Sequence, residues 1–107
     1  MTGAFGDMGN LLKQAQHMQS EVDRIEKELA ATVLKGSAGG GAVEVEVTGD
    51  GMCKKVTISP EALAKGEREM IEDLVLAAVR DGLARARALK KERMQRAMGG
   101  LNLPGLF

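Results

Sequence analysis

A narrow apolar seam runs through residues 10–30 and restricts what the chain can fold into. Its members recur at alternating spacings of four and three residues: Leu11, Ala15, Met18, Val22, Ile25 and Leu29. That spacing places them along one side of a helix, and almost every other position of the segment is polar. Because so narrow a stripe cannot be buried in a thick core, we expect this helix to pack against a partner helix.

The ends of this helix and the size of the chain add two expectations. Residues 1–9 contain three glycines and no apolar period, so we expect a flexible arm and a helix start near Gly9 or Asn10. The 107 residues form a single domain, residues 1–107, and two phenylalanines without Trp or Tyr leave few large core side chains. Dimerisation is therefore expected to bury further apolar area.

The clearest β pattern lies in the middle of the chain, on either side of a glycine-rich turn. Valines alternate with polar residues before the turn, and a second alternating run follows it. If Asp50 and Gly51 form a two-residue turn, Val45 pairs with Val56 and Glu46 lies opposite Lys55. The agreement of turn, apolar face and charge pair favours this hairpin register.

The remaining elements are predicted from shorter signals. A strand is predicted at residues 31–36, and the connection Gly39-Gly40-Gly41 lacks the Gly-Lys-Ser/Thr of a phosphate loop. Ser59-Pro60-Glu61 is typical of a helix start and opens a short helical turn. A long helix should then run from Glu67 to about Met98, first on the sheet and then beside the first helix. Residues 99–107 are predicted to be a flexible tail, with local packing of its apolar residues as the alternative.

No constellation for catalysis or metal binding is visible in the sequence. His17 is the single histidine and Cys53 the single cysteine, so neither a zinc spacing nor an internal disulfide is available. No nucleophile motif is present, and we expect no enzyme activity, cofactor, metal or small-molecule substrate. We also expect a cytoplasmic protein with no secretory leader and no membrane contact.

The formal charge is zero but unevenly distributed. Residues 80–107 carry seven basic and two acidic side chains. On a helical wheel Arg80, Arg87 and Lys91 lie on one flank of the seam, Arg85, Arg93 and Arg96 lie on the other, and Lys90 is in phase with the seam itself. From charge alone, a solvated helix surface and a binding surface are about equally favoured.

Antiparallel packing of the two long helices would gather basic residues from both helices at one end of the pair. It would bring Lys13, Gln14 and His17 close to residues 90–96 and form a cationic, amide-rich tip. Such a tip suits phosphate contacts, which hold a protein on DNA without reading its sequence. Since stacking on unpaired bases needs aromatic side chains, duplex DNA is the favoured nucleic acid. The alternative is a coiled-coil homodimer that organises other proteins without binding nucleic acid.

With these residues in hand, the chain resembles the YbaB/EbfC family of bacterial nucleoid-associated proteins. The matching segments are residues 9–19, 39–41, 56–60, 72–79 and 99–105. The resemblance implies an α+β fold of helix, three-stranded antiparallel sheet and long helix, in a tweezer-like homodimer with protruding helical arms. It also implies duplex DNA binding with little sequence preference, altered DNA conformation, a nucleoid location and effects on gene expression.

Two positions depart from the family's usual pattern. Arg80-Asp81-Gly82 stands where the family often has Asn-Asp-Ala. Because glycine costs a helix roughly 1 kcal/mol against alanine, Gly82 is expected either to permit close packing or to allow a bend.

Overall fold

The structure, a computed structural model, describes residues 2–99, with side chains from residue 7 onward. Its elements are α1 (Thr2–Ala30), β1 (Val33–Ala38), β2 (Val43–Thr48), β3 (Cys53–Ile58), α2 (Pro60–Lys65) and α3 (Arg68–Ala97). The strands form one antiparallel sheet in the order β1-β2-β3. The predicted order of helix, three-stranded sheet and long helix is therefore confirmed.

Two predicted boundaries are wrong. The first helix begins at Thr2, not near Gly9 or Asn10, because glycine lowers helix propensity without removing a backbone donor. β1 starts at Val33 rather than residue 31, since the Ala31 and Thr32 amides close the last turn of α1 by donating to its carbonyls. Apart from Gly99, the predicted tail lies outside the described residues.

The predicted register of β2 and β3 is confirmed. Val45 pairs with Val56, and Glu46 pairs with Lys55. The two strands differ in burial: Val45 is 1% exposed, whereas its partner Val56 is 44% exposed. This difference arises because α3 crosses β1 and β2 and leaves most of β3 uncovered.

The turn between these strands is one residue longer than predicted. The Gly51 amide donates to the Thr48 carbonyl at 2.9 Å, and the Thr48 amide donates to the Met52 carbonyl at 2.8 Å. Gly51 has a φ of 96°, the left-handed conformation typical of a three-residue hairpin loop. A bulge at Lys54 absorbs the extra residue, so the register beyond it is unchanged.

The core lies between α3 and the β1–β2 side of the sheet. Its buried members are Val43, Val45, Val47, Ala78 and Ala86. The alternation of β2 places all three valines on the helix side, and their polar neighbours face the other way. The small alanines of α3 let the helix axis lie close to the sheet.

Two glycines bring α3 into direct contact with β1. A Cβ atom on Gly36 would lie 2.4 Å from the Ala78 carbonyl oxygen and 2.4 Å from the Gly82 amide nitrogen. A Cβ atom on Gly82 would lie 3.1 Å from a methyl group of Val47. Of the two roles expected for Gly82, the structure shows close packing.

Asp81 ties β1 to α3 beside this contact. Its carboxylate accepts the Ser37 amide N–H at 3.0 Å and pairs with Arg85 at 3.2 Å. The Ser37 hydrogen bond, followed by the Arg85 interaction, lowers the pKa of Asp81 below its ordinary value of 3.8. One carboxylate therefore joins two elements and also offsets one of the basic side chains of α3.

The predicted helix start at Ser59 is confirmed. The Ser59 hydroxyl oxygen accepts the Ala62 amide N–H at 3.1 Å, and Pro60 occupies the first helical position. After this short helix α3 continues to Ala97, and Gly99 follows with a φ of 59°. The long helix therefore has the predicted extent.

Candidate nucleic-acid interface

A helical arm leaves the sheet and consists of α1 and the second half of α3, residues 83–98. The two helices run antiparallel: Arg93 of α3 pairs with Glu28 of α1 at 3.6 Å, and Met98 lies beside His17 nearer the start of α1. The molecule is consequently elongated, with extents of 76 × 24 × 17 Å. This arrangement confirms the predicted partner of the apolar seam.

Burial along the seam falls steadily towards the start of α1. Leu29 and Ile25 are 0% and 2% exposed, Met18 is half-buried, and Leu11 is 63% exposed. The cause is the length of α3, which ends at Ala97 beside Met18. The first part of α1 therefore extends beyond the end of its partner.

The ten residues predicted to contact DNA all lie on the arm or at its base. Nine of them are exposed: Lys13, Gln14, His17, Arg80, Arg85, Arg87, Lys90, Lys91 and Arg96. Arg93 alone among the ten is half-buried. Nine of the predicted residues are therefore accessible to a ligand, whereas Arg93 lies at the contact between α1 and α3.

Ion pairs separate the basic residues into two groups. Arg85 pairs with Asp81, Arg93 with Glu28, and Arg96 with Glu92 at 2.7 Å. Within residues 7–99, four basic side chains of α3 make no ion pair: Arg80, Arg87, Lys90 and Lys91. The second group leaves its full charge available to a ligand.

The predicted phase of Lys90 is wrong. Lys90 is exposed, while Ala86, Leu89 and Arg93 occupy the buried or half-buried positions of this part of α3. The rotation of α3 is set by Ala86, which must remain in the core, and this turns Arg93 towards α1. The carbon stem of Arg93 then covers apolar surface while its guanidinium reaches Glu28.

The predicted cationic tip stays a prediction, and its members line two different parts of the arm. Lys13, Gln14 and His17 border a groove of about 430 Å³ with Ala97 and Met98. Two arginines of the basic set, Arg93 and Arg96, instead border a separate cavity of about 190 Å³ together with Arg24 and Glu28. Because α1 continues past the end of α3, its polar residues lie nearer the tip than the α3 arginines do.

Arg24 organises the acidic side chains in the middle of α1. Its guanidinium donates to Glu21 and Glu28, at 2.7 Å each. The hydrogen bond from Arg24 lowers the pKa of Glu21, and the same bonds raise the pKa of Arg24. Together with Arg93, which also pairs with Glu28, Arg24 offsets the two carboxylates.

Comparison with known proteins identifies the family. The sequence matches the family model described as the YbaB/EbfC DNA-binding family over residues 5–101. The chain belongs to the YbaB/EbfC family. It is 44% identical to a nucleoid-associated protein of Desulfotalea psychrophila over 100 residues, covering 94% of each chain. It is 42% identical to a nucleoid-associated protein of Acetivibrio thermocellus over 106 residues, covering 98% of this chain and 94% of that one.

A solved structure supports the fold of this YbaB/EbfC protein. The crystal structure of an uncharacterized protein from Helicobacter pylori superposes with a TM-score of 0.71 at 24% identity. The match covers 89% of this chain and 97% of that chain. The resemblance seen in the sequence segments is thus confirmed for family and fold.

The described part of this YbaB/EbfC chain presents an exposed row of basic side chains on α3. Within residues 2–99 no group of three or more His, Cys, Asp or Glu side chains is placed to hold a metal ion. Arg80, Arg87 and Lys91, which we call the cationic flank, lie along one side of α3 over roughly 16 Å of helix. Such a row can make several phosphate contacts at once.

The helices are amphipathic or polar rather than uniformly apolar. Among those within residues 2–99, none has the length and apolarity required to cross a bilayer.

Proposed function

We propose that this protein is a nucleoid-associated protein that binds duplex DNA with little sequence preference and alters its conformation. The observation that carries the proposal is the cationic flank of α3, whose three side chains are exposed and make no ion pair within residues 7–99. Among the same residues, Lys90 adds a further cation that makes no ion pair. The family name supports DNA binding, and the names of the two relatives support association with the nucleoid.

The chemistry of the arm favours backbone contacts over base reading. Lysine and arginine contribute most of their affinity for DNA through phosphates, and these contacts carry no sequence information. The chain has two phenylalanines and no Trp or Tyr, so it has few of the rings that stack on unpaired bases. We therefore assign duplex DNA as the ligand and no catalytic activity.

The proposed DNA-binding unit is a homodimer with two protruding arms. The protein exposes 7873 Å², whereas a compact monomer of this mass would expose about 5,700 Å². Part of the excess is apolar and lies on β3 and the loop before it, where Val56 and Met52 are 44% and 64% exposed. A second copy that covers this strand would leave both arms projecting, as the tweezer arrangement requires.

Binding to unrelated duplexes should be equally tight and strongly salt-dependent. If the flank contacts phosphates, log K should fall linearly with log salt, with a slope of about −0.9 for each phosphate neutralised. A gel-shift series on several duplexes and one single strand measures both properties. Binding that does not respond to salt would contradict the proposal, and dimerisation without any DNA binding would favour the protein scaffold instead.

Val56→Glu is expected to convert the dimer into monomers, because it places a charge in the apolar centre of the proposed interface. Light scattering after size exclusion should show the mass per particle falling by about half. Thr57→Glu is the matched control, since Thr57 lies on the same strand but faces the opposite side of the sheet. Equal masses for both variants and the wild type would exclude this strand as the interface.

A further inference from the structure

The first part of α1 presents an apolar surface that nothing in the described chain covers. Met8, Leu11 and Leu12 are 62%, 63% and 61% exposed. They lie beyond the end of α3, on the part of α1 that we call the overhang, residues 7–17. Large apolar side chains at this density are costly to leave in water, so burial of this surface by another segment is favourable.

The overhang is continuous with a groove at the end of α3. The groove encloses about 430 Å³, and Met18 and Met98 form its apolar walls. Met18 belongs to the same seam as Leu11, which lies two helical turns further out, a distance of roughly 10 Å. A segment that enters the groove at Met98 can therefore continue along the seam without leaving apolar surface.

The chain itself supplies such a segment immediately after the groove. Gly99 ends α3 in the left-handed conformation, with a φ of 59°. The following tail segment, residues 100–107, has no charged side chain and four large apolar ones: Leu101, Leu103, Leu106 and Phe107. This composition contrasts with α3, which carries the basic residues up to Arg96.

The length of the tail segment fits the length of the overhang. Eight extended residues reach about 26 Å, and the seam from Met18 to Met8 spans about 15 Å. Pro104 disfavours a continuing helix, whereas an extended chain would direct Leu101 and Leu103 to the same side. Because α3 runs antiparallel to α1, a tail that keeps its direction passes along the overhang towards Met8.

We propose that the tail segment of each chain lies along the overhang of its own α1 and covers the apolar side between Met8 and Met18. The contact extends the helix pair beyond the end of α3. It also places an ordered apolar layer beside Lys13, Gln14 and His17, which border the same groove. The inference is independent of DNA binding, since it concerns only contacts within one chain.

Hydrogen exchange of the full chain without DNA tests this contact. The double variant Leu101→Ser/Leu103→Ser should speed exchange of the overhang amides by about tenfold or more, because the covering apolar side chains are removed. Asn102→Ser, between the two positions, is the control and should leave exchange unchanged. Equal exchange in the wild type and the double variant would overturn the proposal.

Cross-linking distinguishes the tail of the same chain from a second copy. In a Cys53→Ser background, which removes the single native thiol, Leu11→Cys with Leu101→Cys should form an intramolecular disulfide under a mild oxidant. Leu11→Cys with Lys65→Cys, on α2, is the control pair and should not. Mixing isotopically light and heavy chains before oxidation identifies linkage between copies, and predominant linkage between copies would refute the assignment to the same chain.

Discussion

The Gly36→Ala variant is expected to lose about 3 kcal/mol or more of its free energy of unfolding. Its new methyl group would lie 2.4 Å from two backbone atoms of α3, which cannot move aside as a flexible side chain can. Relief therefore requires β1 to separate from α3, which opens the core around Ala78. Urea unfolding followed by circular dichroism measures the destabilisation.

Gly9→Ala is the matched control because it makes the same chemical change in open space. Apart from its chain neighbours and the nearby backbone of α1, no atom lies within 4 Å of a Cβ at Gly9, which is inside α1. Replacing glycine by alanine there should increase stability by up to about 1 kcal/mol. If Gly36→Ala unfolds at the same urea concentration as the wild type, β1 and α3 do not pack backbone against backbone at this position.

Removing the cationic flank should weaken duplex binding roughly a hundredfold at moderate salt. The triple variant Arg80→Ala/Arg87→Ala/Lys91→Ala eliminates three proposed phosphate-binding side chains from each chain. The slope of log K against log salt should become shallower by about 0.9 for each phosphate that is no longer neutralised. Fluorescence anisotropy with a labelled duplex across a salt series gives both quantities.

The control for this variant removes the same charge from elsewhere on the protein. Lys27→Ala/Lys35→Ala/Lys65→Ala takes away three exposed cations on α1, β1 and α2. Its affinity should change far less, because these side chains lie on other elements and are not among the proposed phosphate contacts. Equal decreases in affinity for the two triple variants would show that net charge, rather than the flank, governs binding.

The parts of the fold that depend on local pairing were predictable from the sequence. Alternation on both sides of a glycine turn set the pairing of Val45 with Val56, and a bulge preserved it although the loop is longer. The capping serine and the glycine after α3 likewise marked helix ends. These features depend on residues close together in sequence, so the local sequence is enough to predict strand pairing and helix ends.

The site was less predictable because it depends on how two distant helices align. Periodicity indicates that α1 and α3 pack together, but it does not fix their relative shift along the arm or the rotation of α3. The half-buried position of Arg93 follows from Ala86 in the core and Glu28 on the other helix. Those partners become visible only in three dimensions.

The role of Gly36 was not predicted, although a signal for it was present. A glycine inside a strand often marks the close approach of another backbone. The structure supplies that backbone at Ala78 and Gly82. Gly82, which departs from the family pattern, and Gly36, inside β1, therefore form the two sides of one backbone contact.

The hairpin turn between β2 and β3 contacts α1 at the base of the arm. The Gly49 amide donates to the Leu29 carbonyl at 2.9 Å, and a Cβ at Gly49 would lie 2.9 Å from that same oxygen. From Leu29 to Lys13 the helix spans about 24 Å, so a pivot of about ten degrees at the turn moves Lys13 by about 4 Å. A small rotation of the helix pair at this glycine would therefore be amplified at the far end of the arm, where α1 extends beyond α3.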